Sequence, residues 1–272
     1  MEPARDSRPR LAASSYSNTA PLIWSFVHGP RQGEVCLLTD TAPARCADML
    51  AQGLVDGALV PAIEYQHLEN VLAVPDVCVG SRRQVRSVVF ATRCADLQQV
   101  RSVALDTSSR TSVALIKIIF REFIGVEPEW ISHPPDLPAM LAAADAALLI
   151  GDPAMTFQRS GLQVFDLAGV WREFTGRAFV FAFWMARADT TDRVAAIDFA
   201  AARDEGLARV DEIAEFYAQS TGLPAAELVE YLTSNISFVL DEEMLAGLHL
   251  YYELAHKHGL IPSVRELKFV NR

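Results

Sequence analysis

The period of apolar and polar positions switches repeatedly along the chain. "VRSVVFAT" (85–92), "RSVALD" (101–106) and "DAALLI" (145–150) are β-branched or wholly apolar runs and read as strands. "DGALVPAIEY" (56–65) reads as a buried strand leaving into a polar end. "EPEWISH" (127–133) reads as a short strand and "AFVFAFWMAR" (178–187) as a long buried one. Leu11-Ala12-Ala13 is a weak first strand, followed by the small polar cluster "SSYSNTAPL" (14–22). Other segments have helical spacing. "SSRTSVALIKIIFREFIG" (108–125) carries apolar residues at 113, 115, 116, 119, 120 and 123, with Gly125 as its stop. "ARCADMLAQGLV" (44–55), "DLPAMLAAA" (136–144, with Asp136 as N-cap) and "LAGVWREFTG" (167–176) also read as helices. From about residue 191 only helices are predicted, over 192–204, 207–221, 224–233 and 241–258. Gly206, Gly222-Leu223-Pro224 and Gly259 punctuate them.

Strands alternating with helices, then a helical tail, predict an α/β fold with mostly parallel sheets. The polar stretches 92–98 and 186–192 bracket a contiguous block. Two crossings around such a block predict two lobes joined by a hinge: 1–93 with 188–272, and 94–187. In open α/β sheets ligands collect at the carboxyl ends of strands. Here those ends are small and polar: Glu64-Tyr65, Asp106-Thr107-Ser108-Ser109 and Gly151-Asp152-Pro153.

Composition narrows the function classes. The chain has 272 residues, 51% of them hydrophobic, enough to bury a sizeable core. Its net charge of -10 argues against non-specific binding to nucleic acid. The four cysteines form no CxxC and the six histidines no metal pattern, so no metal is expected and the thiols read as reduced. The first residues hold no apolar h-region, and the longest apolar runs are too short to span a bilayer. A cytoplasmic protein with no membrane partner is expected. There is no GxGxxG, Walker loop, GxSxG or HExxH, so nothing asks for a cofactor.

The strongest chemical signal is "LDTSSRTSVAL" (105–115). Thr107, Ser108, Ser109, Thr111 and Ser112 crowd a strand-to-helix junction beside Arg110. A helix start offers unpaired N–H groups and a partial positive charge, and hydroxyls added there suit a carboxylate or phosphate. A single cap needs one hydroxyl, and five exceed that. "LLIGDPAM" (148–155) ends a strand in Gly151 and Asp152, which serve equally as a turn or as a close approach of backbone to ligand. Arg86 and Ser87 begin a strand. Alone they read as an edge position facing solvent. Glu64 alone reads as a cap or an ion-pair partner, with acid–base work as the second choice.

Taken together, "SYSNTAPL" (15–22), "GLVDGALVPAIEY" (53–65), "VRSVVF" (85–90), "ALDTSSRTSVAL" (104–115), "PPDLPAMLAAADAALLIGDPA" (134–154) and "DLAGVWREFTGRAFVFAFW" (166–184) resemble the MqnA family, the chorismate dehydratases of the futalosine route to menaquinone. The resemblance runs in order from about residue 11 to 187. It implies a two-lobed fold like the type II periplasmic binding proteins, used as a cytoplasmic enzyme with the ligand in the cleft. It implies loss of water from chorismate to give 3-(1-carboxyvinyloxy)benzoate. On that reading Asn18 is the first catalytic candidate. Thr19, Arg86, Ser87, Thr107, Ser108, Ser109, Thr111, Gly151 and Asp152 bind substrate, and Glu64 is the second-choice acid or base. The family pattern reads Tyr-Leu-Asn-Thr where this chain has Tyr16-Ser17-Asn18-Thr19, so Ser17 replaces an apolar residue. Residues 1–10 have no counterpart in it. Two alternatives share the scaffold: a 1,4-dihydroxy-6-naphthoate synthase and a non-catalytic small-molecule binding protein. The helical tail is expected to pack on the first lobe, with a homodimer face as the other use for it.

Overall fold

The computed structural model describes residues 7–271. Among these residues ten strands form two five-stranded sheets. The first contains β1 (Arg10–Ser14), β2 (Cys36–Asp40), β3 (Gly57–Pro61), β4 (Val71–Ser81) and β10 (Phe179–Arg187). Their order is β2-β1-β3-β10-β4. The second contains β5 (Val88–Thr92), β6 (Ser102–Asp106), β7 (Glu129–His133), β8 (Ala146–Ile150) and β9 (Gln163–Asp166), in the order β7-β6-β8-β5-β9. No helix among the described residues is long and apolar enough to cross a membrane.

Both sheets are mixed rather than mostly parallel. β1 runs parallel to β2 and β3, while β10 runs antiparallel to β3 and β4. Likewise β6 is parallel to β7 and β8, and β5 is antiparallel to β8 and β9. In each sheet the reversed strand is one that has just crossed from the other lobe.

The lobe boundaries therefore differ from those expected at 93/94 and 187/188. The chain passes between sheets after Ser81 and again after Asp166. β5 is hydrogen-bonded to β8 and β9 and belongs to the second lobe, and β10 returns to the first. The polar runs 92–98 and 186–192 start at the ends of these strands and continue into turns and short helices, which is why they mimicked crossings.

A half-buried carboxylate holds the two passages together. Asp166 caps the helix Leu167–Thr175 by accepting from Gly169 N at 3.0 Å. It also accepts from Val85 N at 3.1 Å and Arg86 N at 2.6 Å, on the outgoing passage. Arg86 sits there in the left-handed region, at φ 64°, where a side chain is tolerated only if its surroundings impose it.

The core follows the pattern. β10 buries Phe179, Phe183 and Trp184 in the core. The predicted helix over 192–204 is two helices, Thr191–Ala195 and Phe199–Leu207, because Asp198 accepts from Ala201 N and starts a new one. Asp136 and Asp241 cap their helices in the same way. The segment 224–233 begins as a helix, Ala225–Glu230, and widens into a π-helical turn, Tyr231–Asn235. The tail packs mainly on the first lobe through two glycines. A Cβ on Gly206 would lie 2.0 Å from Pro21 O, and one on Gly247 would lie 2.0 Å from Ala178 O. Replacing Gly247 by Ala is expected to cost about 1–3 kcal/mol through overpacking. A thermal melt should show Tm lowered by several degrees. An unchanged Tm would mean the tail is not seated this closely.

Candidate active site

Four parallel strands end at one cleft between the lobes, as ligand sites of open α/β sheets do. β1 ends at Ser14, β3 at Pro61, β6 at Asp106 and β8 at Ile150. Residues at or just past these ends line a cavity of about 60 Å³. The first lobe contributes Ser14, Tyr16, Asn18 and Thr19, and the second contributes Ser109, Thr111, Ser112 and Gly151. Leu59, Val79, Val85, Val88, Ile150 and Phe181 form apolar walls. No charged side chain is among the lining residues.

On the first lobe the polar cluster folds as a 3₁₀ turn, Ser17–Thr19, running into the helix Ala20–His28. Pro21 suits that first turn, where its missing N–H costs nothing. Thr19 Oγ1 shares a 2.7 Å hydrogen bond with Ser14 Oγ and lies 3.3 Å from Asn18 Oδ1, which accepts from it. Asn18 is thereby fixed at the cavity wall.

On the second lobe the helix Thr111–Ile118 starts at the cavity, and no side chain caps it. Its first N–H groups have no acceptor within the helix, and they carry the positive end of its dipole. Ser109 and Ser112 flank them. Thr111 Oγ1 accepts from Ile63 N at 3.2 Å and so joins the lobes.

Two further contacts close the cleft. Gly151 has φ 68°, and a Cβ there would lie 2.6 Å from the Tyr16 ring, so glycine is required by backbone and by space. Ser17 N lies 3.2 Å from both carboxylate oxygens of Asp152, and Ser17 Oγ donates to Oδ1 at 2.5 Å. The residue that departs from the family pattern thus makes a polar bridge between lobes. Burial pushes the Asp152 carboxyl above its ordinary range, and the donations from Ser17 oppose this. Behind the wall, Ser108 Oγ donates to Asp106 Oδ1 at 2.5 Å. Asp106 is also raised by burial, against bonds from Ser108 and Ile150. Burial raises the Tyr16 phenol, and its hydrogen bond with Ser108 acts the other way.

The expected site residues therefore divide. Asn18, Thr19, Ser109, Thr111 and Gly151 meet at the cavity. Thr107 is exposed and only its N–H is engaged, with His133 O. Ser108 and Asp152 lie behind the wall in the contacts just described. Arg86 turns away to an ion pair with Glu227 of the tail. Glu64 is buried but committed to Arg110 at 2.9 Å, with His67 at 3.5 Å. Arg110 in turn also holds Asp48 at 2.5 Å. Ser87 is fully buried and accepts from Tyr231 Oη at 2.6 Å. Sequence reasoning did not select Tyr16 or Tyr231. Tyr16 lies inside the motif and its place at a strand end was a usable signal. Tyr231 had none, since it reaches Ser87 across 144 residues of chain.

Comparison with known proteins agrees with this architecture. Residues 9–257 match the family described as "Menaquinone biosynthesis". A chorismate dehydratase from Thermus thermophilus is 31% identical over 262 residues, covering 89% of this chain and 93% of that protein. Among solved structures, a protein from Archaeoglobus fulgidus superposes with a TM-score of 0.69 at 19% identity, covering 94% of this chain and 100% of that one. The periplasmic aliphatic sulphonate binding protein of Escherichia coli superposes with a TM-score of 0.64 at 15% identity, over 98% and 94% of the two chains. A Candida albicans protein described as having the generic periplasmic binding protein fold gives 0.69 at 11% identity, over 97% and 98%. With its family match spanning nearly the whole chain and its two lobes meeting at one cleft, the chain belongs to the menaquinone biosynthesis family and has the periplasmic-binding-protein fold.

Proposed function

We propose that the chain is a chorismate dehydratase, a hydro-lyase that forms 3-(1-carboxyvinyloxy)benzoate and water. The observation that carries this reading is the cavity, which offers hydroxyls, one amide and an uncapped helix start but no charged side chain. The likeness to the Thermus thermophilus chorismate dehydratase supports it. Chorismate has two carboxylates, a ring hydroxyl and an enol ether. It needs many hydrogen-bond donors, and few charged groups that would promote a wrong bond cleavage.

In this reading the ring carboxylate lies at the Thr111 helix start, held by N–H groups and by Ser109 and Ser112. The ring C3–H is vinylogous to that carboxylate. Donors placed there stabilise the charge that develops as the proton leaves. No Asp, Glu, His or Lys lines the cavity. Asp152 is engaged by Ser17 and Glu64 by Arg110. The base is therefore the substrate's own enolpyruvyl carboxylate, which takes the C3 proton. The electron pair left on C3 forms the C3–C4 double bond, the ring becomes aromatic and the C4 hydroxide departs. The same carboxyl group hands its proton to the hydroxide, giving water. Asn18 orients that carboxylate, and Ser87 supports the other end of the substrate. Arg86, Thr107, Ser108, Asp152 and Glu64 hold the frame.

Mixing the purified protein with chorismate and separating products by liquid chromatography should give 3-(1-carboxyvinyloxy)benzoate. Unchanged chorismate would sink the reading and favour a binding protein on this fold. Asn18→Ala is expected to lower kcat by about 10²-fold or more. Asp152→Asn should keep most of its turnover. The reverse pattern, with binding retained, would make Asp152 the base.

Asp152 also sets a pH trend in stability. Its folded pKa is raised by burial, so below the ordinary carboxylate value its contribution is intact. That contribution declines as pH rises through the raised value, because the native state then holds a desolvated charge. Asp152→Asn removes the decline. Its Tm relative to the unaltered chain should therefore climb as pH rises above the ordinary carboxylate range. A difference that falls as pH rises contradicts the sign.

A further inference from the structure

The tail is tied to the site at three points. Tyr217 Oη donates to Ser15 O at 3.1 Å. Glu227 holds Arg86. Tyr231 Oη donates to Ser87 Oγ at 2.6 Å, with both side chains buried. All three grip the two segments, 15–19 and 85–88, that carry the cavity-lining Asn18, Val85 and Val88. Tyr231 opens the π-helical turn Tyr231–Asn235, a widening that often marks a functional position in a helix.

The proton inventory gives this network a direction. A phenol has one proton, and Tyr231 places it on Ser87. On the neighbouring segment Asn18 Oδ1 accepts from Thr19 Oγ1 at 3.3 Å. Ser87 Oγ, already accepting, has its own proton to give elsewhere.

We propose that Tyr231, supplied by the C-terminal tail, is a positioning residue for the dehydration, orienting the Ser87 hydroxyl toward the bound substrate. The proposal rests on the chorismate dehydratase reading. It assigns the tail a part in the chemistry beyond packing.

The test is steady-state kinetics with chorismate on the full chain and on Tyr231→Phe, Ser87→Ala and the double variant. Phenylalanine keeps the buried ring and removes only the hydroxyl. Tyr231→Phe is expected to lower kcat by about 10–100-fold. KM should stay within about threefold, because orientation rather than uniform binding is lost. The double variant should be no slower than Ser87→Ala alone, since residues acting through one another are not additive. A merely structural role would instead multiply the two losses. Either that multiplication or a Tyr231→Phe chain as fast as the unaltered one overturns the proposal while leaving the dehydratase reading intact. No product from the unaltered chain overturns the dehydratase reading, and the proposal with it. If Tyr231→Phe melts well below the unaltered chain, Tyr231→Trp and Tyr231→Leu, which also lack the hydroxyl, are run beside it. Equal kcat losses in all three support the proposal, and losses that track Tm count against it.

Discussion

Asp166 is the constraint on which the two-lobed arrangement depends. The chain leaves the first sheet at Ser81 and returns at Phe179, and one half-buried carboxylate bonds to both passages. Without it, Val85 and Arg86 would present unpaired N–H groups in a buried turn, at a cost of about 1–3 kcal/mol each. Arg86 would also have nothing to impose its left-handed backbone. Because this carboxylate fixes where the lobes meet, it fixes where four strand ends converge. The cavity is a consequence of that convergence.

Much of this was legible in the sequence, and for identifiable reasons. β5, β6, β8 and β10 are continuous apolar runs, and such runs admit few readings at their length. The excess of hydroxyls at 107–112 announced a polar helix start, and Ser109, Thr111 and Ser112 do line the cavity. β4 was not legible, because Pro75 and the left-handed Asp76 interrupt it and shift its register against β10. β2 and β9 are short and half-exposed, so their pattern is faint.

The site was less legible than the fold. Proximity in sequence put Thr107, Ser108 and Arg110 beside Ser109 and Thr111. Only the fold shows that Ser108 serves Asp106 and that Arg110 serves Asp48 and Glu64. A polar residue near a site has two uses, touching the ligand or holding the frame, and spacing along the chain does not separate them. Tyr231 is the opposite case. It is far from every motif, and a buried tyrosine in a helical tail reads as core. Ser17 sharpens the same point, since its departure from the family pattern is matched by a carboxylate on the facing lobe.

The place of β10 has a consequence for how the molecule comes into being. The second lobe is one unbroken stretch, from Val88 to Asp166, and all its strands are available once that stretch has been made. The first lobe is not, because β10 lies between β3 and β4. On a chain growing from its N-terminus, the lobe encoded second can be finished first. The earlier-made strands wait with an open seam for a partner more than a hundred residues away. Long-range closure of that kind is the slow, aggregation-exposed step of folding. The seam between β3 and β4 is where a chaperone has most to protect.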